Sequence, residues 1–266
     1  MVLSVLIKYP YLTKESSKVF FEKKDQELTN LDWAKWAGWF DTDGCFSKML
    51  NEKWWVKRVI LALKDRQPVE LFSKTFETSL GHRTFKTITP EPYRKEYMAN
   101  MYRVNLSGEK AVWFTKNVYP YLIKQEKKDC AVKLLGYRPE SKDFTTWTPD
   151  EVLHYLATAT EGDGGFQVRY GKATKNITAD IKSSDVQYLS DLRNMTENKL
   201  GVLYTLSEKA TYETQNGIRT KYGLSVCCSR RNPNNLGFFQ SLVKDNVMTL
   251  DRKKQKVQEF LNYKAA

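Results

Sequence analysis

The chain has 266 residues, of which 41% are hydrophobic and 13% aromatic, so it can bury a sizeable core and is not a disordered protein. Lys and Arg number 43 against 31 for Asp and Glu, and the formal net charge is +12. This surplus favours an anionic partner, nucleic acid before an acidic membrane or protein, although a basic soluble enzyme remains an alternative. No apolar run approaches the ~18 residues of a membrane span, and the four cysteines lack the spacing of a metal site. We therefore expect an intracellular protein that is neither secreted nor embedded in a membrane.

The first predicted unit spans residues 29–135 and follows a leader, residues 1–28, that has no counterpart later in the chain. It begins with a helix over 33–40, whose start is marked by an N-cap at Thr29. Alternating apolar and polar residues then predict pairs of antiparallel strands, with an amphipathic helix between the pairs and a basic helix at the end. The two later helices are predicted over 69–80 and 123–135.

A linker over residues 136–148, rich in turn-forming residues, leads to a second unit over 149–266. Here Thr148 caps a helix, Pro149 fits its first turn, and Glu151 completes a capping box. The elements that follow are a helix, two strands, a helix, two more strands and a closing helix. The two helices and the first strand pair are predicted over 153–160, 166–170, 177–181 and 186–200, the second strand pair includes 222–226, and the closing helix is predicted over 249–261.

The two units are related by a constant offset in sequence. Asp41-Thr42-Asp43-Gly44 closes the first helix and Glu161-Gly162-Asp163-Gly164 closes the second, and 163 − 43 = 120. One register kept along both units indicates a duplication with one acidic turn in each copy. The same offset pairs Phe46 with Phe166, Asp65 with Asp185, Tyr102 with Tyr222, Val104 with Leu224 and Leu106 with Val226.

The two acidic turns are predicted to meet. Ala34, Ala37 and Gly38 leave little side chain on the first helix, so the equivalent helix of the other copy can approach closely. Such packing would bring Asp43 and Asp163 together. Two neighbouring carboxylates repel unless cations lie between them, which predicts divalent metal ions at this point. The alternative is that each Asp-Gly pair only ends its helix.

These helix-ending segments resemble a known motif. Residues 36–44 (WAGWFDTDG) look like the LAGLIDADG motif, and residues 156–164 (LATATEGDG) are a looser second match. Two motifs in one chain are similar to the monomeric LAGLIDADG homing endonucleases. The resemblance implies an α+β fold of two pseudo-twofold-related αββαββα units, whose two antiparallel sheets form a DNA-binding saddle with the motif helices at the interface. The expected interface residues are Ala34, Ala37, Gly38, Asp41, Ala157, Thr158 and Glu161.

The resemblance also assigns the metal ligands. The last acidic residue of each motif, Asp43 or Asp163, would bind catalytic divalent metals, with the backbone carbonyls of Thr42 and Gly162 as further ligands. The expected ion is Mg²⁺, with Mn²⁺ or Ca²⁺ as substitutes and Ca²⁺ not supporting cleavage.

Other groups of the site follow from the same resemblance. A polar residue after the second strand matches Asp65 in one copy and Asp185 in the other, whereas Asp41 and Glu161 are expected to be structural. A basic residue near the start of the closing helix would stabilise the transition state. A one-residue gap in the alignment leaves two candidates in each copy, Lys124 or Lys127 and Arg252 or Lys253.

Strand parity, counted from the acidic turns, predicts which side chains would face the major groove of DNA. Any one Lys or Arg among them could be a solvated surface charge, but together they are typical of a surface that reads phosphates and base edges. Because the positions differ between the copies, we expect an asymmetric target. Parity predicts Ser47, Met49, Arg58 and Lys64 in the first copy, and Gln167, Arg169, Thr178, Asp180 and Lys182 in the second. Arg66, Arg83 and Lys86 are further basic candidates in the first copy.

The resemblance therefore implies a monomeric, Mg²⁺-dependent endodeoxyribonuclease that cleaves both strands of a long DNA target and leaves short 3′ overhangs. It would act wherever the host intron resides, in an organelle, a bacterial cytoplasm or a nucleus. The alternative is an intron RNA maturase, or a non-cleaving DNA-binding protein, on the same scaffold.

Overall fold

The computed structural model describes residues 28–51, 54–88, 96–170, 175–214, 217–229, 235–244 and 247–262. Within these residues, each copy consists of four α-helices and one four-stranded sheet. The predicted leader lies outside these residues except for Leu28. The first copy comprises α1 (Asn30–Thr42), β1 (Gly44–Asn51), β2 (Trp54–Leu63), α2 (Arg66–Thr75), β3 (Gly81–Ile88), β4 (Glu96–Ser107), α3 (Glu109–Val118) and α4 (Gln125–Leu135). The second comprises α5 (Pro149–Asp163), β5 (Gly164–Tyr170), β6 (Lys175–Ser183), α6 (Val186–Leu200), β7 (Thr205–Thr214), β8 (Gly217–Ser229), α7 (Leu236–Leu242) and α8 (Asp251–Leu261).

The two motif helices, α1 and α5, begin where the sequence predicts, because both carry a capping box. Thr29 Oγ1 accepts a hydrogen bond of 3.3 Å from the Asp32 amide, and the Asp32 carboxylate accepts one of 2.9 Å from the Thr29 amide. Thr148 and Glu151 repeat this arrangement at 3.2 and 2.7 Å. The reciprocal bonds satisfy N–H groups that a helix start otherwise leaves unpaired, so sequence-local contacts fix both starts.

Both sheets are antiparallel and have the same strand order, β1-β2-β4-β3 in the first copy and β5-β6-β8-β7 in the second. Leu61 pairs with Val104, and Ile181 pairs with Leu224, so the offset of 120 residues extends across the strands. These four side chains are buried, and they form one apolar face of each sheet. The predicted α+β fold with two antiparallel sheets is confirmed.

Each copy has one helix more than the sequence predicts, α3 or α7, between its fourth strand and its closing helix. α3 buries residues on most of its turns, including Trp113 and Phe114, and α7 is only 7 residues long. Periodicity gives a weak signal for such elements. α2 spans Arg66–Thr75 rather than 69–80, because its N-cap is Asp65 and the chain leaves the helix at Phe76.

The motif helix of the first copy is buried on all sides. Its aromatic residues pack on α2 and α3, where the ring centroids of Trp36 and Phe72 lie 5.1 Å apart and those of Phe40 and Phe114 lie 4.7 Å apart. Gly38, its residue without a side chain, lies against α5. A helix that is apolar all round belongs in a core, and α1 therefore joins the core of its own copy to the interface between copies. Among the described residues, no helix combines the length and apolarity needed to cross a membrane.

Candidate functional site

The motif helices α1 and α5 pack directly against each other around Gly38. The Thr158 hydroxyl donates a hydrogen bond of 2.8 Å across the interface to the carbonyl of Lys35. A Cβ on Gly38 would lie 2.5 Å from the carbonyl oxygen of Tyr155, and closer still to Thr158 Oγ1. The missing side chain at Gly38 therefore makes room for the larger residue opposite. Three further predicted interface residues are fully buried: Ala34, Ala37 and Ala157.

The ends of these helices place the two acidic turns in contact. Gly162 lies against Thr42 and Asp43, and a Cβ added to Gly162 would lie 2.6 Å from Asp43 Oδ2. Burial, and then the charge of Asp163, raise the pKa of Asp43 to about 6. Asp43 Oδ2 is itself buried and has no hydrogen-bond partner among the residues that the structure describes. The fold thus brings Asp43 and Asp163 together as a crowded pair of carboxylates.

These oxygens fit a divalent cation. Mg²⁺ prefers hard oxygen ligands and is usually held by one or two protein carboxylates together with substrate phosphates. Within the described part of the chain, no group of three or more His, Cys, Asp or Glu side chains could hold a metal ion. An ion at Asp43 and Asp163 would therefore draw further oxygens from backbone carbonyls, such as those of Thr42 and Gly162, and from a bound phosphate.

The first acidic residue of each motif binds backbone amides that precede the closing helix of its own copy. Asp41 accepts a hydrogen bond of 2.7 Å from the Ile123 amide, and Glu161 accepts bonds of 2.8 and 2.6 Å from the amides of Thr249 and Leu250. Burial raises the pKa of Asp41 to about 6 and that of Glu161 to about 7. These two carboxyl groups tie the motif helices to α4 and α8.

Lys127 and Lys253, two of the four predicted basic residues, occupy equivalent positions. Lys127 Nζ donates to the Gly44 carbonyl at 2.6 Å, and Lys253 Nζ donates to the Gly164 carbonyl at 2.9 Å. A cation is favourable at the carbonyl end of a helix, so both lysines stabilise the ends of the motif helices. Because 253 − 127 = 126 whereas the motifs are 120 apart, the alignment gap before the closing helix is six residues, not the expected one.

The other two basic candidates have different partners. Lys124 Nζ lies 3.2 Å from Asp163 Oδ2, which places it at the acidic turns. Arg252 forms a bidentate pair with Asp65 at 2.9 and 2.6 Å, and this pairing lowers the pKa of Asp65. Asp185 accepts a backbone N–H bond of 3.0 Å at the start of α6. Asp65 and Asp185 therefore occupy the N-cap positions of α2 and α6.

A cleft of about 290 Å³ opens beside Asp163 and Lys124. Its walls include Lys182, which strand parity predicts, and Tyr212 and Lys221, which the sequence analysis missed. The last two residues lie on β7 and β8, the strand pair that the repeat predicts in the second copy without fixing its bounds. Cations and hydroxyl groups around a cleft suit a phosphate-bearing polymer.

Most side chains predicted to face DNA lie on the sheet surfaces opposite the buried apolar faces. Ser47 and Arg58 are neighbours across β1 and β2, and Gln167 and Thr178 are neighbours across β5 and β6. The two copies therefore present different polar groups at matching positions. Met49 and Arg169 are exposed on their strands. Lys64 and Arg66 are also exposed, but Lys64 follows β2 and Arg66 begins α2, where it pairs with Glu70 at 2.7 Å.

Asp180, which strand parity predicts to face DNA, is only 8% exposed, and its carboxylate pairs with the ammonium of Lys182 at 3.2 Å. Arg83 and Lys86 belong to β3, but their side chains are outside the described part of the structure.

Comparison with known proteins identifies the architecture. No family model and no curated protein matches the sequence. Among solved structures, the LAGLIDADG meganuclease I-AabMI, bound to uncleaved DNA, has a TM-score of 0.51 at 12% identity, over 86% of this chain and 89% of that one. The homing endonuclease I-WcaI, bound to its DNA recognition sequence, has a TM-score of 0.50 at 14% identity, over 95% of both chains. I-GzeII, a LAGLIDADG homing endonuclease in complex with its DNA target, has a TM-score of 0.51 at 11% identity, over 86% of this chain and 88% of that one. Likeness at such low identity establishes the fold, and the chain has the fold of the two-motif LAGLIDADG homing endonucleases that its sequence motifs predict.

Proposed function

We propose that the chain is a site-specific endonuclease that cuts both strands of a long, asymmetric DNA target by divalent-metal-dependent hydrolysis. The observation that carries the proposal is the contact between the two acidic turns, which sets Asp43 beside Asp163 where the two copies meet. Three solved structures with this fold were each determined with DNA, which supports double-stranded DNA as the partner.

Each acidic turn would take part in the cleavage of one DNA strand. Divalent cations, when bound, activate water and stabilise the departing oxygen. Asp43 and Asp163 would hold them by charge, and Lys124 adds a positive charge beside Asp163. In each strand, a P–O bond to water forms while the P–O bond to the departing sugar oxygen breaks, and that oxygen takes up a proton. We propose Mg²⁺ as the ion and short 3′ overhangs as the product ends.

The active species would be a monomer, because one chain contains both acidic turns. The initial cleavage rate should therefore rise in proportion to protein concentration at fixed DNA. A rate that rises with the square of concentration would contradict a site built within one chain. The different polar groups on the two sheets, such as Arg58 and Thr178, support a target without twofold symmetry.

The proposal is tested with a randomised duplex library, incubated with the protein in Mg²⁺ or in EDTA and sequenced at the product ends. We expect Mg²⁺-dependent double-strand cuts within one long consensus that is not palindromic. Selective binding of DNA or intron RNA without cleavage in Mg²⁺ or Mn²⁺ would overturn the endonuclease and favour the binding protein or the maturase.

A further inference from the structure

Lys124 has no charged counterpart in the second copy. The closing helices are related by 126 residues, because Lys127 and Lys253 bind equivalent carbonyls and 253 − 127 = 126. The backbone amides that bind the first acidic residue of each motif follow the same offset. The position equivalent to Lys124 is therefore Leu250, since 124 + 126 = 250.

The two acidic turns consequently differ in their surroundings. Lys124 Nζ is 3.2 Å from Asp163 Oδ2, and the lysine side chain is 12% exposed. Leu250 carries no charge and is 1% exposed. The charges of Lys127 and Lys253 also lower the pKa of Asp43, but both ammonium groups are bound to backbone carbonyls. Asp163 thus has its own counter-ion at the cleft, whereas the residue equivalent to that counter-ion in the second copy is a buried aliphatic one.

The aromatic ring of Tyr188, on α6, packs against the ammonium group of Lys124. The Nζ of Lys124 lies 4.9 Å from the centroid of the Tyr188 ring, a cation–π contact that gains strength when it is desolvated. The Tyr188 hydroxyl is 3.3 Å from that of Tyr155, which donates in turn to Asp41. The offset of 120 places Pro68 at the position equivalent to Tyr188, because 188 − 120 = 68. The aromatic support is therefore also confined to one half of the site.

We infer that Lys124, positioned by Tyr188, assists cleavage of one DNA strand only, so that the two strands are cut at unequal rates and nicked duplex accumulates as an intermediate. This inference rests on the proposed endonuclease function. Its physical basis is that phosphoryl transfer gathers negative charge on the phosphate oxygens, and a fixed cation lowers the free energy of that state. Leu250 cannot supply such a charge.

The first test follows each strand separately in a duplex with different labels on its two strands. Removing one preorganised charge should slow the dependent strand roughly 10²–10³-fold, so Lys124→Met should cut the other strand at a near wild-type rate and stop at nicked DNA. Lys133→Met, which changes an exposed lysine on α4, the helix that Lys124 precedes, is the matched control and should leave both rates unchanged. Equal slowing of the two strands by Lys124→Met would overturn the inference.

The second test separates positioning from general support of the fold. Tyr188→Phe keeps the ring below Lys124 and should retain the cutting rates of both strands. Tyr188→Leu removes the ring and should slow the same strand as Lys124→Met does. Loss of fold would slow both strands together, so equal slowing by a Tyr188→Leu protein that unfolds in urea as wild type does would refute the positioning role.

The third test needs no cleavage. In metal-free buffer, Asp43→Asn should tighten DNA binding more than Asp163→Asn, because Lys124 already neutralises Asp163. In a Lys124→Met background the two substitutions should have equal effects. Equal effects in the wild-type background would show that the turns are equivalent. If the wild-type protein cleaves no DNA, the proposed function fails, and this binding comparison still decides whether Asp43 and Asp163 differ.

Discussion

Tyr155, on the motif helix of the second copy, donates a hydrogen bond of 2.5 Å to Asp41 on the motif helix of the first. The repeat places Lys35 and Glu161 at the equivalent positions, since 155 − 120 = 35 and 161 − 120 = 41. Burial lowers the pKa of Lys35 while the charge of Glu161 opposes that effect, so these residues interact as well. The two copies therefore interact across their interface through a hydrogen bond between Tyr155 and Asp41 on one side and through the opposite charges of Lys35 and Glu161 on the other.

Tyr155→Phe tests the first of these pairings. The substitution keeps the ring but removes one hydrogen bond from the buried Asp41 carboxyl, which keeps the bond from the Ile123 amide, and a hydrogen bond to a charged group contributes about 1.5–3 kcal/mol. We expect the free energy of unfolding, measured in urea, to fall by that amount. Tyr137→Phe, at a 49% exposed tyrosine, should change it little. A Tyr155→Phe protein as stable as wild type would show that this bond does not stabilise the interface.

Gly38→Ala tests the close approach of the motif helices. A new Cβ would meet the Tyr155 carbonyl oxygen and the Thr158 hydroxyl, and overpacking of a core costs about 1–3 kcal/mol. Gly237→Ala is the matched control, because a Cβ on that helical glycine meets nothing within 4 Å. The control should stabilise the protein by about 0.5–1 kcal/mol through the higher helix propensity of alanine. Similar stabilisation by both changes, in urea unfolding, would rule out tight packing at Gly38.

The lowered pKa of Lys253 predicts that the stability of the protein depends on pH. Burial is the main cause that lowers its pKa from 10.5 to about 8 in the folded protein. Between these two values the unfolded chain binds more protons than the folded chain, so the free energy of unfolding should rise with pH across that window. The shift corresponds to about 3 kcal/mol. Unfolding curves of wild type and Lys253→Met, compared from pH 7.5 to 10.5, isolate this contribution, and parallel pH profiles of the two proteins would contradict it.

Asp43→Asn and Asp163→Asn test the chemistry of the acidic turns. Each change removes a negative ligand while keeping the size of the side chain, so each should abolish double-strand cleavage in Mg²⁺. Specific DNA binding in Ca²⁺ should largely persist, because the groups that would read the bases lie on the strands. Asp41→Asn and Glu161→Gln should instead lower stability more than they lower the rate of cleavage. If the Asp43→Asn protein cleaved its target at the wild-type rate, the assignment of the catalytic metal ions to these turns would be wrong.

The salt dependence of DNA binding tests the electrostatic contribution of the basic surface. If about 6–10 phosphates are contacted, affinity should fall roughly 10³–10⁵-fold between 50 and 200 mM salt. Fluorescence anisotropy with a labelled duplex in Ca²⁺ measures this fall. A nearly flat response would exclude a binding surface built on Lys and Arg.

The features that the sequence predicts well are those fixed by local contacts or by the repeat. The capping boxes at Thr29 and Thr148 mark both motif helices, and the offset of 120 residues predicts the matching strand registers. The partners of the basic residues were not predictable, because six extra residues before the second closing helix change the offset. Only the folded chain shows that Lys127 matches Lys253 and that Lys124 faces the other copy.

The pairing of Gly38 with Thr158 has a consequence for how the two halves recognise each other. The repeat makes these residues counterparts, since 158 − 38 = 120. If two second halves packed together, the side chain of one Thr158 would face that of the other Thr158, whereas here it faces Gly38, which has no side chain. The backbones of the two helices could then not approach as closely. Two first halves would set Gly38 against Gly38, without that obstacle. A separated second half is therefore hindered from pairing with a copy of itself, and it should pair preferentially with a first half.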